Sequence, residues 1–242
     1  MIHVPGATTR RELRLWTRHS SAARAVRHAR NERLTYLSRP ALLDLSEAVL
    51  HIEASGLPGA IVEAGCALGG SALVLASAKS RARPLLVFDT FGLIPEPGAA
   101  DGADVHERYD VIASGRAKGL GPDQYYGYRS DLLTSVHDML TAHGYAPDVH
   151  AIRLVPGLFE ATMHLDGPVA LAHIDCDWHD SVATCLERIA PRLVEGGVMV
   201  IDDYDAYSGC RLAVNEFMAD RDDFALERRT RVHLRRLRGV AP

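Results

Sequence analysis

The chain has 242 residues, 47% of them hydrophobic and 24% charged, with a net charge of −4. That length suits one α/β domain with a full core and a short extension, and the ordinary charged fraction excludes wholesale disorder. The acidic balance gives no electrostatic case for nucleic acid as partner, and with no apolar run of 18 residues and no signal-peptide pattern at the start the chain reads as cytoplasmic, with no membrane partner.

Residues 8–33 are rich in Arg and Ala and poor in β-branched residues, which predicts a basic helix. It reads foremost as a solvated or subunit-contacting helix; a targeting peptide and an RNA-binding arm are the alternatives. Ser38-Arg39-Pro40 then opens a clear helix, with Ser38 as N-cap and Pro40 in the first turn. Leu42, Leu45, Val49 and Ile52 follow at helical spacing, and Gly56 ends it. The division expected from this is an N-terminal helical extension over 1–56 and a main domain over 57–242.

Strands and helices alternate from there. Residues 60–64 form a strand running into glycines, and 71–78 form a helix. Residues 84–88 form a strand ending at Asp89. Residues 92–128, dense in Gly, Pro, Asp and Tyr, are too long for a simple connection and predict a lid with helical pieces. A helix over 131–143, a strand over 150–155 and a short helix from Phe159 come next. A strand over 169–174 ends at Asp175, and a helix over 181–193 closes at Glu195-Gly196-Gly197. A strand over 198–201 ends at Asp202-Asp203, and a helix spans 209–220. Val232, Leu234 and Leu237 predict a final edge strand. Repeated βα units imply a mostly parallel sheet with helices on both faces, whose ligands sit at the carboxyl ends of the strands. Glu63, Asp89, Asp175, Asp202 and Asp203 all fall at those ends.

The first loop reads Glu63-Ala64-Gly65-Cys66-Ala67-Leu68-Gly69-Gly70-Ser71. It has neither Gly-x-Gly-x-x-Gly nor a Gly-Lys-Ser/Thr phosphate loop. A carboxylate at Glu63 would repel pyrophosphate but suits a positive group, such as the ammonium of S-adenosylmethionine. Asp89, one βα unit later, can take both hydroxyls of a ribose. The alternative is a plain strand-to-helix turn with a surface acid.

Asp175 and Asp202-Asp203 follow strands that can be neighbours. Converged carboxylates need a counter-charge, and all-oxygen ligands favour Mg²⁺, with Mn²⁺ or Ca²⁺ as alternatives. Asp177 lies beside Asp175, free to take a proton. His179 is a further candidate for the proton acceptor, and His173 reads as a satisfied polar residue. Asp-Asp as a simple helix cap is the competing reading. The four cysteines Cys66, Cys176, Cys185 and Cys210 form no Cys-x-x-Cys pair and read as reduced thiols.

Taken together, Ile61 to Ser71, Asp89-Thr-Phe-Gly-Leu-Ile-Pro95, Val155-Pro-Gly-Leu-Phe159, Ile174-Asp-Cys-Asp177 to Ser181, and Asp202-Asp-Tyr204 to Val214 resemble the macrocin O-methyltransferase family. The likeness spans roughly residues 35–218, and its Asp-x-Asp and double-aspartate motifs are specific in combination. A more distant similarity runs to catechol O-methyltransferase. The resemblance implies a Rossmann-like class I S-adenosylmethionine methyltransferase fold. It implies that Glu63, Gly65 and Ser71 line the methionine part of the cofactor, that Asp89 holds its ribose and that Phe159 lies at its adenine, with Asp175 also against it. It implies Asp175, Asp202 and Asp203 as Mg²⁺ ligands and Asp177 as general base. The acceptor would be a small-molecule hydroxyl, a sugar vicinal diol first and a catechol second, and the chain a homodimer or higher homo-oligomer. Where the family usually has Tyr, two residues after the second Asp of Asp-x-Asp, this chain has His179. A metal-dependent hydrolase, a nucleotide-cofactor oxidoreductase and a non-catalytic scaffold are the rival readings.

Overall fold

The computed structural model describes residues 7–239; the outermost parts of the expected extension and main domain, 1–6 and 240–242, lie outside the described residues. The basic stretch is two helices rather than one: α1 (Ala7–Arg18) and α2 (Ser20–Asn31). The chain breaks at His19, whose φ of −141° and ψ of 63° are not helical. Nor is it a free arm. Arg24, Arg27 and Arg30 face outward while Leu15, Ala22, Ala23, Ala25, Val26 and Ala29 are buried. The small alanines let α2 lie close against α4 (Gly70–Ala78). Helix α3 (Arg39–Ala54) starts where the sequence places it, with Ser38 Oγ accepting from the Ala41 amide at 3.4 Å.

The strands are β1 (Ala60–Ala64), β2 (Leu85–Asp89), β3 (Ile152–Pro156), β4 (Val169–Ile174), β5 (Leu193–Ile201), β6 (Phe224–Arg228) and β7 (Val232–Arg236). They form one seven-stranded sheet in the order β3-β2-β1-β4-β5-β7-β6. The first five run parallel, and β7 is antiparallel to both of its neighbours. Two expectations are corrected here. The last strand is not the edge: β7 slots between β5 and β6, and β6 takes the rim. Strand β5 begins at Leu193 instead of Val198, because Glu195-Gly196-Gly197 sits inside it as an irregularity in the β4 pairing rather than ending a helix. Gly196 supplies the positive φ of 79° that this needs.

Alternation along the strands sorts the sheet into two apolar faces. Ile61, Leu85, Val87, Leu171, Val198 and Val200 pack under α1–α4 and α6 (Leu132–Ala142). Val62, Phe88, Ala172, Ile174, Met199 and Ile201 pack with α7 (Phe159–Thr162), α8 (His179–Ile189) and α9 (Ser208–Met218). The core thus runs across the expected boundary at residue 57. A third cluster joins Val105 and Ile112 of α5 (Ala103–Ala113) to Ala117, Tyr125 and Trp178. The N-terminal helices also meet the last described strand: His233 Nε2 on β7 lies 3.0 Å from Asp44 Oδ2 on α3, both buried, and Arg11 donates to Thr230 at 3.3 Å. No helix among the described residues is long and apolar enough to cross a membrane.

Candidate active site

The turn from β1 to α4 is shaped by contact with the neighbouring strand tip. Gly65 has φ +86°, and a Cβ there would stand 1.9 Å from the Asp175 carbonyl oxygen. Only glycine satisfies both conditions. Gly69, also at φ +86°, abuts Val136 and Met139 of α6, and the Gly70 amide donates to the Leu34 carbonyl at 2.9 Å. Asp89 organises the same turn from β2. Its Oδ2 accepts from the Cys66 and Ala67 amides at 2.7 and 3.0 Å, and its Oδ1 accepts from the Phe91 amide at 2.7 Å. Those bonds hold Ala67 (φ 46°) and Phe91 (φ 50°) in a region that side chains disfavour. Asp89 therefore fastens two loops while still lining the cleft.

Glu63 is not brought to the cleft. It is wholly buried on the sheet face beneath the helices, with Oε1 3.4 Å from His173 Nδ1. Its Oε2 and His173 Nε2 have no partner, so His173 is polar and buried but only half satisfied.

Three other acids do converge. The β-ladder continues past the strands through Asp175 N to Ala64 O (2.9 Å) and Asp202 N to Ile174 O (3.0 Å), which sets the two tips side by side. One carboxylate oxygen from each of Asp175, Asp202 and Asp203 then lies within 4.8 Å of the others. Burial, and after it repulsion among the acids, holds Asp175 and Asp203 well above the usual carboxylate range. Arg231, from the β6–β7 turn, reaches Asp202 Oδ1 with Nε at 2.5 Å. One guanidinium against three carboxylates leaves the group electron-rich, and an all-oxygen donor set of this spacing fits a hard divalent cation.

Asp177 stands next to this group, at φ 62°, with its amide donating to Asp203 Oδ2 at 3.2 Å. Its carboxyl is pushed up to about 7, first by burial and then by Asp202, while Arg108 pulls it down. His179 is placed elsewhere. Its Nδ1 is 2.8 Å from Asp180 Oδ1 and its Nε2 is 2.8 Å from Glu216 Oε2. Its amide donates to Asp101 at 2.9 Å, so the residue pins α8 to α9 and to the covering segment. It does not line the cleft.

Two hollows meet over the strand tips. One is walled by Thr90, Ile94, Pro95, Gly157, Leu158, Phe159 and Ser181. The other is walled by Thr35–Leu37, Ser71, Arg108, Tyr125, Tyr207, Asp202 and Asp203. Gly65, Asp89, Tyr126, Asp175 and Asp177 line both. The segment 92–128 covers them with α5 and a single 3₁₀ turn at Tyr126–Tyr128, and Trp178 Nε1 ties it down by donating to Pro95 O at 3.0 Å. Burial raises the phenols of Tyr125 and Tyr207 to about 12, so these walls are neutral donors. Sequence reasoning misses Arg108, Tyr207 and Thr35–Leu37. Arg108 is one arginine among many, and nothing local marks the 35–37 connection as a cavity wall.

A family model described as macrocin-O-methyltransferase (TylF) matches residues 12–117 and 130–225. The chain belongs to the macrocin-O-methyltransferase family. The gap between the matched stretches falls in the covering segment, at 118–129. Among characterised relatives, the chain is 32% identical over 180 residues to the Streptomyces olivaceus 8-demethyl-8-(2,3-dimethoxy-alpha-L-rhamnosyl)-tetracenomycin-C 4'-O-methyltransferase, across 72% of this chain and 63% of that protein. It is 26% identical over 193 residues to the demethyldecarbamoylnovobiocin O-methyltransferase of Streptomyces niveus, across 75% and 66%. The match thus spans slightly less than two thirds of both relatives. The solved O-methyltransferase NovP superposes with a TM-score of 0.69 at 22% identity, covering 85% of this chain and 83% of NovP. The calicheamicin methyltransferase CalS11 superposes with a TM-score of 0.60 at 20% identity, covering 97% and 94%. These likenesses establish the Rossmann-like class I methyltransferase fold for this family member.

Proposed function

We propose that this protein is an S-adenosylmethionine- and Mg²⁺-dependent O-methyltransferase acting on a sugar hydroxyl of a glycosylated natural product. The observation that carries the reading is the joining of two hollows at Asp175 and Asp177, beside a cluster of three carboxylates. A two-lobed cleft suits a two-part cofactor, with an apolar lobe at Phe159 for a base and a polar lobe at Gly65 and Ser71 for an amino acid. Asp89 would hold the ribose, with a carboxylate whose oxygens also accept from three amides. Asp175 stands where both lobes and the carboxylate group meet.

S-adenosylmethionine supplies an electrophilic methyl on sulfonium, whose departure leaves a neutral thioether. Mg²⁺ held by Asp175, Asp202 and Asp203 would lower the pKa of a hydroxyl and favour two adjacent oxygens, hence a vicinal diol. Asp177 would accept the proton of the attacking hydroxyl, and Arg108, with a cation bound by the neighbouring carboxylates, would favour its ionised form for that task. Tyr125, Tyr126 and Tyr207 wall the acceptor side and exclude water. The S. olivaceus relative is named for a rhamnosylated tetracenomycin, which supports a sugar acceptor. The four buried, unpaired cysteines suit a reducing, cytoplasmic setting.

The test is calorimetry with S-adenosylhomocysteine, followed by methyl transfer to a panel of rhamnosylated aglycones and catechols, each with and without chelator. Cofactor binding with chelator-sensitive transfer to a sugar is the expected result. Transfer that survives full chelation removes the cation from the reading, and no cofactor binding ends it.

A further inference from the structure

The geometry points to a separate transition-metal site at His28, Glu32 and His143, which would bolt the N-terminal helices to the core when it takes Zn²⁺. His28 and Glu32 are one helical turn apart at the end of α2, and His143 caps the end of α6. His28 Nδ1 lies 2.5 Å from Glu32 Oε1, and His143 Nε2 lies 3.2 Å from Glu32 Oε2. One donor atom from each of the three falls within 4.8 Å of the others. The two imidazoles meet edge to face, with centroids 5.0 Å apart.

The His143 ring is already oriented by the backbone of its own helix. His143 Nδ1 is 2.8 Å from the Met139 carbonyl oxygen, which can only accept, so Nδ1 carries the hydrogen. That leaves Nε2 as the ring atom facing the Glu32 carboxylate, 3.2 Å from Oε2. A cation seated between them would take one ligand from each, and a backbone carbonyl behind a ligating imidazole is the arrangement that orients such ligands. Two imidazole nitrogens and one carboxylate oxygen suit Zn²⁺, with a water in the fourth position. Mg²⁺ prefers oxygens throughout, so this donor set is chemically distinct from the carboxylate cluster over the sheet.

The position gives the site a consequence. Glu32 is followed by Leu34, whose carbonyl holds the Gly70 amide, and by Thr35–Leu37, which wall the polar hollow. Helix α6 presses Val136 and Met139 against Gly69. A metal at the three residues would therefore brace both struts of the β1–α4 turn.

The experiment titrates Zn²⁺, and in parallel Co²⁺ as a visible-absorbing probe, into the full chain held in saturating Mg²⁺. The wild type should take up about one equivalent of Zn²⁺ and show intense Co²⁺ bands of low coordination number. His28→Ala and His143→Ala should each weaken that equivalent roughly 10-fold or more, whereas His137→Ala and Asp203→Ala should keep it. Zn²⁺ should raise the Tm of the wild type and not of the two histidine variants. A wild type that takes up no Zn²⁺, or histidine variants that bind it as the wild type does, overturns the proposal.

Discussion

The amide of Asp177 donates to Asp203 Oδ2 at 3.2 Å. This one bond ties the loop after β4 to the tip of β5 and holds Asp177 at its positive φ of 62°. A residue proposed to move a proton is thereby positioned by a residue proposed to hold the cation. Disturbing either should be felt at the other.

Asp202→Ala and Asp203→Ala should each lower methyl transfer by more than about 100-fold, while S-adenosylhomocysteine affinity changes only a few-fold. Calorimetry and a radiolabelled-methyl assay check both halves. Asp202→Ala also releases Arg231, so Arg231→Ala separates loss of a ligand from loss of its partner. Wild-type turnover in either aspartate variant would remove the carboxylate cluster from the chemistry.

Asp177→Asn should cut kcat by about 10²- to 10⁴-fold with cation and cofactor binding retained. His179→Gln should stay within roughly tenfold of the wild-type kcat, because both its ring nitrogens are engaged by Asp180 and Glu216, outside the cleft. The reverse ranking of the two variants would make His179 the base.

Gly65→Ala should destabilise the protein by about 2–4 kcal/mol and abolish cofactor binding. The added Cβ meets the Asp175 carbonyl at 1.9 Å, and the site lies in the left-handed region besides. Thermal unfolding and calorimetry report the two effects separately.

The His179 pKa is raised: burial pulls it down, but the hydrogen bonds that its ring donates to Asp180 and Glu216 outweigh that. A raised pKa means the folded state holds the proton more tightly. The stabilisation is complete below the ordinary value of 6.5 and fades as pH climbs through the raised one. The Tm gap between wild type and His179→Gln should therefore be widest in mild acid and close in mild alkali. Both carboxylates are exposed, so the effect is at most about 1 kcal/mol. A gap that widens with pH contradicts this assignment.

Much of the site is legible because acids at strand tips are a local signal. Asp175, Asp202 and Asp203 end apolar runs, and parallel pairing of those runs is enough to gather them. Ser38 with Pro40 announces a helix start by its own chemistry. What escapes depends on partners far along the chain. Glu63 shares a sheet face with Ile61, and only the placement of the helical layer decides that this face is sealed. Asp89 serves two amides, of Cys66 and Ala67, that another loop supplies. His179 looks available until Glu216, from α9, occupies its second nitrogen. The apolar residues of β7 mark a strand, but nothing local reveals that β6 forms in the charged stretch before it and takes the rim. The break at His19 is equally silent, since helix formers lie on either side.

The contact between Asp44 and His233 joins residues 189 apart in sequence. Helix α3 is made well before β7, so its buried acid has Arg11 as a partner early but gains His233 only once β7 exists. The surroundings of α3 are thus expected to be completed only when β7 has emerged, and a nascent chain stalled shortly before β7 should be cut by proteases more readily than one that includes it.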